Sequence, residues 1–246
     1  MNYFVTGGSR GLGAAIVLQA VREGHDVAFT YRSHEADAHA VCEQARGISK
    51  DRKVRAYPLD VSSSVDVEAI GNRALDDFDS IDVVVANAGV NVNNLVANMS
   101  DAEWDTVIGT NLTGAFYTAR QFLAPMVGNR FGRIIFMSSL GAGGVSGQAN
   151  YSASKAGLMG LSAAIAKEYG RKGITSNCIL AGFFDTDMTR EGMSQNNRSF
   201  WMQYCPQGRI GDASEAAKVV TFLASDAASF INGQAIPVNG GLDWAP

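Results

Sequence analysis

Short apolar runs alternate with longer stretches of helical character along most of the chain. An apolar run of four to eight residues without polar alternation is typical of a strand that is covered on both faces, as in a parallel sheet. The runs predicted as strands are residues 3–6, 26–31, 54–59, 81–86, 133–138, 175–180 and 235–238. Strands of this kind require helices on both sides of the sheet.

The stretches between these strands are predicted as helices. They begin near Gly11, Glu35, Ser63, Ser100, Tyr151 and Asp212. The alternation favours parallel strands joined by right-handed crossovers. No linker, repeat or low-complexity segment interrupts it. We therefore predict one α/β domain over residues 1–246, with a doubly wound parallel sheet of about seven strands and helices on both faces.

The segment before the last helix does not follow this alternation of strands and helices. Residues 182–211 carry aromatic side chains among polar ones, namely Phe183, Phe184, Phe200, Trp201 and Tyr204. A connection of this length in a compact domain is more often functional than a simple link. We predict a substrate lid within about residues 183–210, with aromatic packing at a subunit interface as the alternative.

Composition excludes several function classes. The net charge is −4, and no Lys/Arg run is longer than a pair, so no nucleic-acid partner is expected. No apolar stretch is long enough to span a membrane. The cysteines, Cys42, Cys178 and Cys205, lie far apart without a CxxC pair, which favours a reducing cytoplasm and argues against a metal site. All three histidines precede residue 40, so a site in the later chain has no imidazole base.

A glycine-rich turn, Thr6-Gly-Gly-Ser-Arg-Gly-Leu-Gly13, joins the first strand to the first helix. Glycine adopts backbone dihedrals that other residues avoid, and it lets a diphosphate approach the amides at the start of a helix. The turn also fits the G-x-S-x-G pattern of a hydrolase with Ser9 as nucleophile. That interpretation fails because no histidine follows His39. Similarly, Ser152-Ala-Ser-Lys155 matches S-x-x-K, but its companion motifs S-D-N and K-T-G are missing.

Tyr151 and Lys155 lie four residues apart in a predicted helix, so their side chains share one face. An ammonium about 4–5 Å from a phenol, at an effective dielectric near 20, lowers the phenol pKa by roughly two or three units from about 10. We expect Tyr151 to act as a general acid or base on this ground. Taken alone, such a pair is more often an exposed tyrosine beside a solvated lysine.

The chain resembles the classical short-chain dehydrogenase/reductase family over essentially its whole length, because several motifs match in order and spacing. They are the glycine turn, Asp60-Val61, Asn87-Ala-Gly89, Asn111, a serine closing the fifth strand, Tyr151-x-x-x-Lys155, and Gly182 followed by Thr186. The resemblance implies a single NAD(P)-binding domain of Rossmann type. It also implies hydride transfer between a nicotinamide cofactor and a carbonyl or alcohol.

The same resemblance implies roles for individual residues. Tyr151 would protonate the carbonyl oxygen, Lys155 would lower the Tyr151 pKa and hold the nicotinamide ribose, and Asn111 would position a water that relays protons to Lys155. The remaining cofactor contacts would be Gly7, Ser9, Arg10, Gly11, Leu12, Gly13, Arg32, Asp60, Val61, Asn87, Gly89, Gly182, Phe184 and Thr186.

The serine that polarises the carbonyl is either Ser138 or Ser139. Counting back thirteen residues from Tyr151, the common family distance, gives Ser138, whereas counting forward from the strand entry at Gly132 gives Ser139. A one-residue shift of a strand reverses all its side chains, while the following loop loses a residue at little cost. We predict Ser139, which gives the catalytic set Asn111, Ser139, Tyr151 and Lys155.

The second strand ends in Phe29-Thr30-Tyr31-Arg32-Ser33, without the carboxylate that binds the ribose 2′-hydroxyl of NAD. Arg10 lies within the glycine turn. Two guanidinium groups with no competing acid suit a 2′-phosphate, so we predict NADPH as the cofactor. An ordinary surface role for Arg32 is the alternative.

Within the family, the chain is most similar to 3-oxoacyl-[acyl-carrier-protein] reductases, on residues 147–157, 172–174, 185–189 and 238–241. The implied reaction is NADPH-dependent reduction of a carrier-bound 3-oxoacyl thioester to the 3-hydroxyacyl thioester, in fatty-acid or polyketide-type chain elongation. A reductase of free small or aromatic ketones is the alternative, because the segment around Trp201 is bulky. The complete catalytic set argues against a non-catalytic NADPH sensor.

Arg130 and Lys172 match the family positions that dock acyl carrier protein, with Arg133 and Arg171 as neighbours. A chain of charge −4 attracts an acidic partner only through a local basic patch. Solubilising charges at element ends are the alternative interpretation. The resemblance also implies a homo-oligomer, usually a tetramer, that packs through helices near residues 111–126 and 151–169. Without a predicted signal sequence or membrane segment, we expect a cytoplasmic protein.

Overall fold

A computed structural model describes residues 1–186, 189 and 195–242 of the chain. Its strands are β1 (Asn2–Val5), β2 (Asp26–Tyr31), β3 (Val54–Pro58), β4 (Val83–Ala86), β5 (Gly132–Ser139), β6 (Ile174–Ala181) and β7 (Ala235–Val238). Its α-helices are α1 (Gly11–Arg22), α2 (Glu35–Ile48), α3 (Ser64–Phe78), α4 (Asp101–Ile108), α5 (Gly114–Asn129), α6 (Ala149–Tyr169), α7 (Gln195–Tyr204) and α8 (Ala213–Ala224).

Within the described residues, the seven strands form one parallel sheet in the order β3-β2-β1-β4-β5-β6-β7. The predicted α/β sheet is therefore confirmed. The chain runs outward from β1 in one direction, then returns to β4 and continues in the other. A crevice forms at such a reversal, outside the carboxyl ends of the strands, and open α/β sheets bind their ligands there.

Successive residues of each strand point to opposite faces of the sheet, and each face packs against its own hydrophobic core. Because both faces are buried, the strands lack polar alternation. Tyr3 and Val5 pack with α1, α2 and α8 on one face, whereas Phe4 packs with α3, α5 and α6 on the other. Phe4 meets Phe122 of α5, with ring centroids 4.7 Å apart. Full burial of such a side chain contributes roughly 1.5–3 kcal/mol.

The predicted lid contains a helix, α7, where the sequence indicated only a long connection. The rings of Phe183 and Trp201 are in contact, with centroids 4.8 Å apart. Phe184 is buried and forms a β-bridge with Gly211. The rest of the predicted lid, residues 187, 188 and 190–194, lies outside the described residues, as does the side chain of Phe200.

No helix in the described part of the chain is long and apolar enough to cross a membrane.

Candidate active site

The glycine turn lies where β1 meets α1, and its geometry requires glycine. Gly7 and Gly11 have φ values of 65° and 57°, in the left-handed region. A Cβ on Gly13 would lie 2.0 Å from the carbonyl oxygen of Gly7. The turn therefore folds back on itself at the N-terminus of α1. A glycine-rich turn at a helix N-terminus is the type of site that binds the diphosphate of a dinucleotide.

Asn87 and Thr6 join the end of β4 to this turn. Asn87 Nδ2 donates to the carbonyls of Thr6 and Gly7 at 2.9 and 3.1 Å. Thr6 Oγ1 accepts from the amides of Asn87 and Ala88, both at 3.0 Å. The predicted cofactor residues on the two strands thus share one edge of the sheet.

Arg32 and Asp60 form an ion pair at the outer end of this edge, with Arg32 Nε 3.3 Å from Asp60 Oδ2. The expectation of guanidinium groups without a competing acid is therefore wrong for Arg32. The sequence does not reveal this pair, because Asp60 follows β3 and comes close to Arg32 only through the pairing of β3 with β2 in the sheet. Hydrogen bonds from Ser62, and then Arg32, hold the pKa of Asp60 below its usual value. Arg10, at the N-cap of α1, is exposed.

The other predicted contacts along the edge are packed to different degrees. Ser9 and Val61 are buried, and Leu12 is half-buried against the core. A Cβ on Gly89 would lie 3.3 Å from Asn111 Oδ1 and 3.4 Å from Lys155 Nζ. Gly89 therefore adjoins both predicted catalytic side chains.

Tyr151 lies in the first turn of α6, against the loop that follows β5. The Ser139 hydroxyl adjoins the Tyr151 side chain and acts to lower the phenol pKa, but burial raises that pKa more. Ser139 Oγ also accepts from the Gly141 amide at 3.1 Å. The structure thus brings together the hydroxyls of Ser139 and Tyr151, the arrangement that can hold one carbonyl oxygen.

Ser138 points to the opposite face of β5. It is buried, and its Oγ donates to the backbone carbonyl of Lys155 at 2.8 Å. It therefore braces α6 against the sheet and does not reach the Tyr151 phenol. Of the two candidate serines, the one adjoining Tyr151 is Ser139.

Lys155 is 5% exposed, and its Nζ donates to the carbonyl of Met137 at 2.7 Å. Burial lowers its pKa to about 8, while the nearby Cys178 thiol acts in the opposite direction. Nζ lies 5.6 Å from the centroid of the Tyr151 ring. Burial of the phenol is the dominant influence on the Tyr151 pKa and raises it, so the lowering by Lys155 stays a prediction.

Asn111 lies in a π-helical turn, Gly109–Thr113, between α4 and α5. Its Oδ1 accepts from the Val90 amide at 2.8 Å, while Nδ2 donates to the Val90 carbonyl at 2.9 Å and to Ser154 Oγ at 3.1 Å. Both donors of the amide are thus engaged within the protein.

Ser154 is a residue that sequence reasoning missed. Its Oγ donates to the Tyr151 carbonyl at 2.7 Å while accepting from Asn111, and the side chain is fully buried. It ties the Asn111 turn to the turn of α6 that carries Tyr151. A polar residue directly before Lys155 on a buried helix was the available signal.

The segment after β6 passes over the glycine turn. A Cβ on Gly182 would lie 2.6 Å from Asn239 Cα, so only glycine fits between this segment and the end of β7. The Thr186 side chain lies 3.6 Å from the Cβ position of Gly11. Behind this segment, at the ends of β6 and β7, is a pocket of about 120 Å³ whose lining includes Phe183, Phe184, Trp201, Met202 and Cys205.

Arg130 and Lys172 lie at the opposite end of the sheet from Tyr151. Arg130 ends α5 just before β5, and Lys172 precedes β6. Arg130 Nη2 donates to the Arg171 carbonyl at 3.5 Å, which brings the two segments together. Arg133, the other predicted neighbour, lies inside β5, is only 4% exposed and stacks on Phe131 at 4.2 Å.

The fold and these motifs place the chain in a known group. A family model described as "Enoyl-(Acyl carrier protein) reductase" matches residues 7–243. The chain belongs to the short-chain dehydrogenase/reductase family, and within it the chain is an oxidoreductase that acts on a CH–OH or C=O group with a nicotinamide cofactor.

Named relatives cover nearly the whole chain. The chain is 41% identical to the 3-oxoacyl-[acyl-carrier-protein] reductase FabG of Staphylococcus aureus over 97% of its own length and 96% of that protein's. It is also 41% identical to FabG of Chlamydia trachomatis, over 97% and 95% of the two lengths. The crystal structure of levodione reductase superposes with a TM-score of 0.95 at 33% identity, covering 100% of this chain and 98% of that one.

Proposed function

We propose that the protein reduces the keto group of a 3-oxoacyl thioester, borne on acyl carrier protein, to the 3-hydroxyacyl thioester with NADPH. The observation that carries this proposal is the adjacency of the Ser139 and Tyr151 side chains, next to Lys155 at the edge that the glycine turn shares. The named FabG relatives support the substrate class, because they match along nearly their full lengths.

The residues present fit a dinucleotide. The turn at Gly7, Gly11 and Gly13 would receive the diphosphate at the N-terminus of α1, and Gly89 and Lys155 would hold the nicotinamide ribose. When bound, the cofactor supplies the hydride. Arg10 and Arg32 would lie beside the 2′-substituent, and their guanidinium groups suit a 2′-phosphate, which supports NADPH. The pairing of Arg32 with Asp60 uses Nε and leaves the guanidinium other donors for a phosphate.

Proton transfer falls to Tyr151. Because burial raises its pKa, the phenol stays protonated at neutral pH and can donate to the oxygen that becomes the alcohol. The Ser139 hydroxyl hydrogen-bonds the same oxygen and stabilises the charge that develops there. Lys155, with a pKa of about 8, carries a positive charge at neutral pH and favours the transient phenolate.

A free cyclic or aromatic ketone is the second candidate substrate. The contact of Phe183 with Trp201 places aromatic surface in the lid, and the levodione reductase structure superposes over the whole chain. Aromatic surface of this kind suits a flat, rigid ketone as well as an acyl chain.

A substrate panel tests the proposal. The panel contains carrier-bound, coenzyme-A-bound and short pantetheine 3-oxoacyl thioesters, free cyclic ketones and a 2-enoyl thioester, each assayed with NADPH and with NADH. We expect the highest kcat/KM for the carrier-bound 3-oxoacyl thioester with NADPH. Preference for a free ketone would favour the second candidate, and reduction of the enoyl thioester alone would refute both.

A further inference from the structure

Asn150, the residue directly before Tyr151 in the first turn of α6, is fully buried. An asparagine side chain carries two N–H donors and a carbonyl acceptor, and leaving such a group unpaired in the interior costs free energy. The partners of these groups therefore show which parts of the chain the side chain joins.

The Asn150 amide joins three separate segments. Its Nδ2 donates to the carbonyl of Val92 at 3.1 Å and to the carbonyl of Glu103 at 3.2 Å, while its Oδ1 accepts from the Tyr151 amide at 2.7 Å. Val92 lies in the connection that follows β4, and Glu103 lies in α4. Because the first amides of a helix have no helical partner, Asn150 supplies the one that the Tyr151 amide lacks.

The elements that Asn150 contacts are themselves hydrogen-bonded to one another. Glu103 and Ser100 form the capping box of α4, and the Glu103 carboxylate also accepts from Asn94 Nδ2 at 3.3 Å. The Asn94 amide donates to the carbonyl of Gly147, just before α6, at 2.9 Å. Asn150 thus binds to a support that is fixed by several bonds besides its own.

The carbonyl of Tyr151 has a separate anchor. It accepts from Ser154 Oγ at 2.7 Å, and Ser154 Oγ accepts in turn from Asn111 Nδ2 at 3.1 Å. Asn150, Ser154 and Asn111 are all buried. The amide and the carbonyl of Tyr151 are therefore held from two directions, by side chains that contact different parts of the chain.

The backbone position of Tyr151 decides where its phenol lies. A Cβ on Gly141, in the loop after β5, would lie 3.4 Å from Tyr151 Cε1 and 3.5 Å from Ser139 Oγ. A shift of the first turn of α6 would therefore change the position of the phenol relative to the Ser139 hydroxyl. Misplacement of a reacting group by about 1 Å can lower a rate by about 100-fold.

Lys155, one turn further along α6, is anchored independently of Asn150. Its carbonyl accepts from Ser138 Oγ at 2.8 Å, and its Nζ donates to the carbonyl of Met137 at 2.7 Å. Both partners belong to β5. A change at Asn150 is therefore expected to move the Tyr151 turn and to leave the Lys155 ammonium in place.

We propose that Asn150 is a positioning residue, which holds the Tyr151 backbone against α4 and the connection after β4 so that the phenol meets the substrate oxygen beside Ser139. The role of Tyr151 as proton donor belongs to the proposed function, on which this inference rests. Asn150 acts through Tyr151 and not on the cofactor. Its loss therefore lowers kcat and spares the binding of NADPH.

Two substitutions at Asn150 test this role. Asn150→Ala removes all three bonds, whereas Asn150→Ser keeps a polar oxygen in the helix turn but is one bond too short for the carbonyls of Val92 and Glu103. For each variant, kcat and KM are measured with the substrate that the wild-type protein reduces best. NADPH binding is measured by fluorescence titration, and kcat is expressed per NADPH-binding site, so that unfolded protein does not contribute.

The matched control is Asn177→Ala. Asn177 lies in β6, is 1% exposed, and makes comparable bonds, from Nδ2 to the Ile231 carbonyl at 2.8 Å and from the Gln234 amide to Oδ1 at 3.0 Å. These partners precede β7 and do not contact α6 through this side chain. Thermal unfolding of the control shows what the loss of a buried asparagine does to stability alone.

We expect kcat to fall about tenfold or more in both Asn150 variants, with KM and the Kd of NADPH within about threefold of wild type. Asn177→Ala should lower the unfolding temperature by a similar amount and keep kcat within about twofold. If Asn150→Ala does not fold, Asn150→Ser gives the same comparison. If neither folds, the role of Asn150 is structural and the inference fails.

Three further results would overturn the inference. Nearly normal kcat in both Asn150 variants would show that Tyr151 needs no such anchor. An equal fall in Asn177→Ala would reveal a general effect of lost stability, and a matching loss of NADPH binding would indicate collapse of the whole site. Failure of the proposed function is recognised separately, because the wild-type protein would then prefer a substrate other than a 3-oxoacyl thioester, and the variants are compared on that substrate.

Discussion

Lys155 donates a hydrogen bond from Nζ to the backbone carbonyl of Met137, at 2.7 Å. The carbonyl belongs to β5, two residues before Ser139, so this bond fixes the ammonium against the same strand that carries the site serine. The ammonium is almost fully buried, and burial lowers its pKa to about 8. Burial of this charge therefore lowers the free energy of unfolding, by an amount that depends on pH.

We expect Lys155→Met to change how stability depends on pH. Because the folded pKa of Lys155 lies below that of the unfolded chain, the unfolded state binds more protons between about pH 8 and 10.5, and stability from this group rises with pH across that window. The free energy of unfolding of the variant, relative to wild type, should thus fall by about 2 kcal/mol between pH 7 and 10. Urea denaturation at several pH values measures this difference.

The matched control for that experiment is Lys167→Met, which removes an exposed lysine from the same helix. Its stability difference from wild type should stay constant over the same pH range. A constant difference for Lys155→Met as well would show that burial does not penalise the ammonium.

We expect Tyr151→Phe to lower kcat for keto reduction by about 100-fold or more, because it removes only the proton donor. Binding of NADPH, followed by fluorescence titration, should stay within a few-fold of wild type, since the ring and the Lys155 site remain. Retention of a tenth of the wild-type turnover would rule out Tyr151 as the acid.

The adjacent serines offer a paired test. Ser139→Ala removes the hydroxyl that adjoins Tyr151, and we expect kcat to fall about 100-fold with little change in stability. Ser138→Ala removes the bond to the Lys155 carbonyl, and we expect a loss of about 1 kcal/mol in stability with nearly normal kcat. Kinetics and thermal unfolding of both variants decide the assignment, and the opposite pattern would give the role to Ser138.

Replacing both Arg10 and Arg32 with Ala should lower kcat/KM for NADPH at least tenfold and leave the value for NADH nearly unchanged. Each charge-assisted contact to a phosphate contributes about 1.5–3 kcal/mol. The contribution of Arg32 is expected at the low end, because Asp60 already holds its Nε. Steady-state kinetics with both cofactors provides the measurement, and equal losses would assign the arginines another role.

The α/β class, the parallel sheet and the residues at the ends of its strands were all predictable from local patterns along the chain. The reason is that burial on both faces leaves a continuous apolar run in each strand, and the turn between β1 and α1 requires glycine at Gly7, Gly11 and Gly13. Local patterns of this kind depend on neighbouring residues and can be read along the chain.

Relations between distant segments could be read only from the folded chain. The pairing of Arg32 with Asp60 depends on the adjacency of β2 and β3. The hydrogen bond between Asn111 and Ser154 depends on the packing of the π-helical turn against α6. The register of β5, and hence the choice of the serine beside Tyr151, follows from packing on both sides of the sheet. The pKa directions of Tyr151 and Lys155 follow from burial, which depends on atoms contributed by the whole fold.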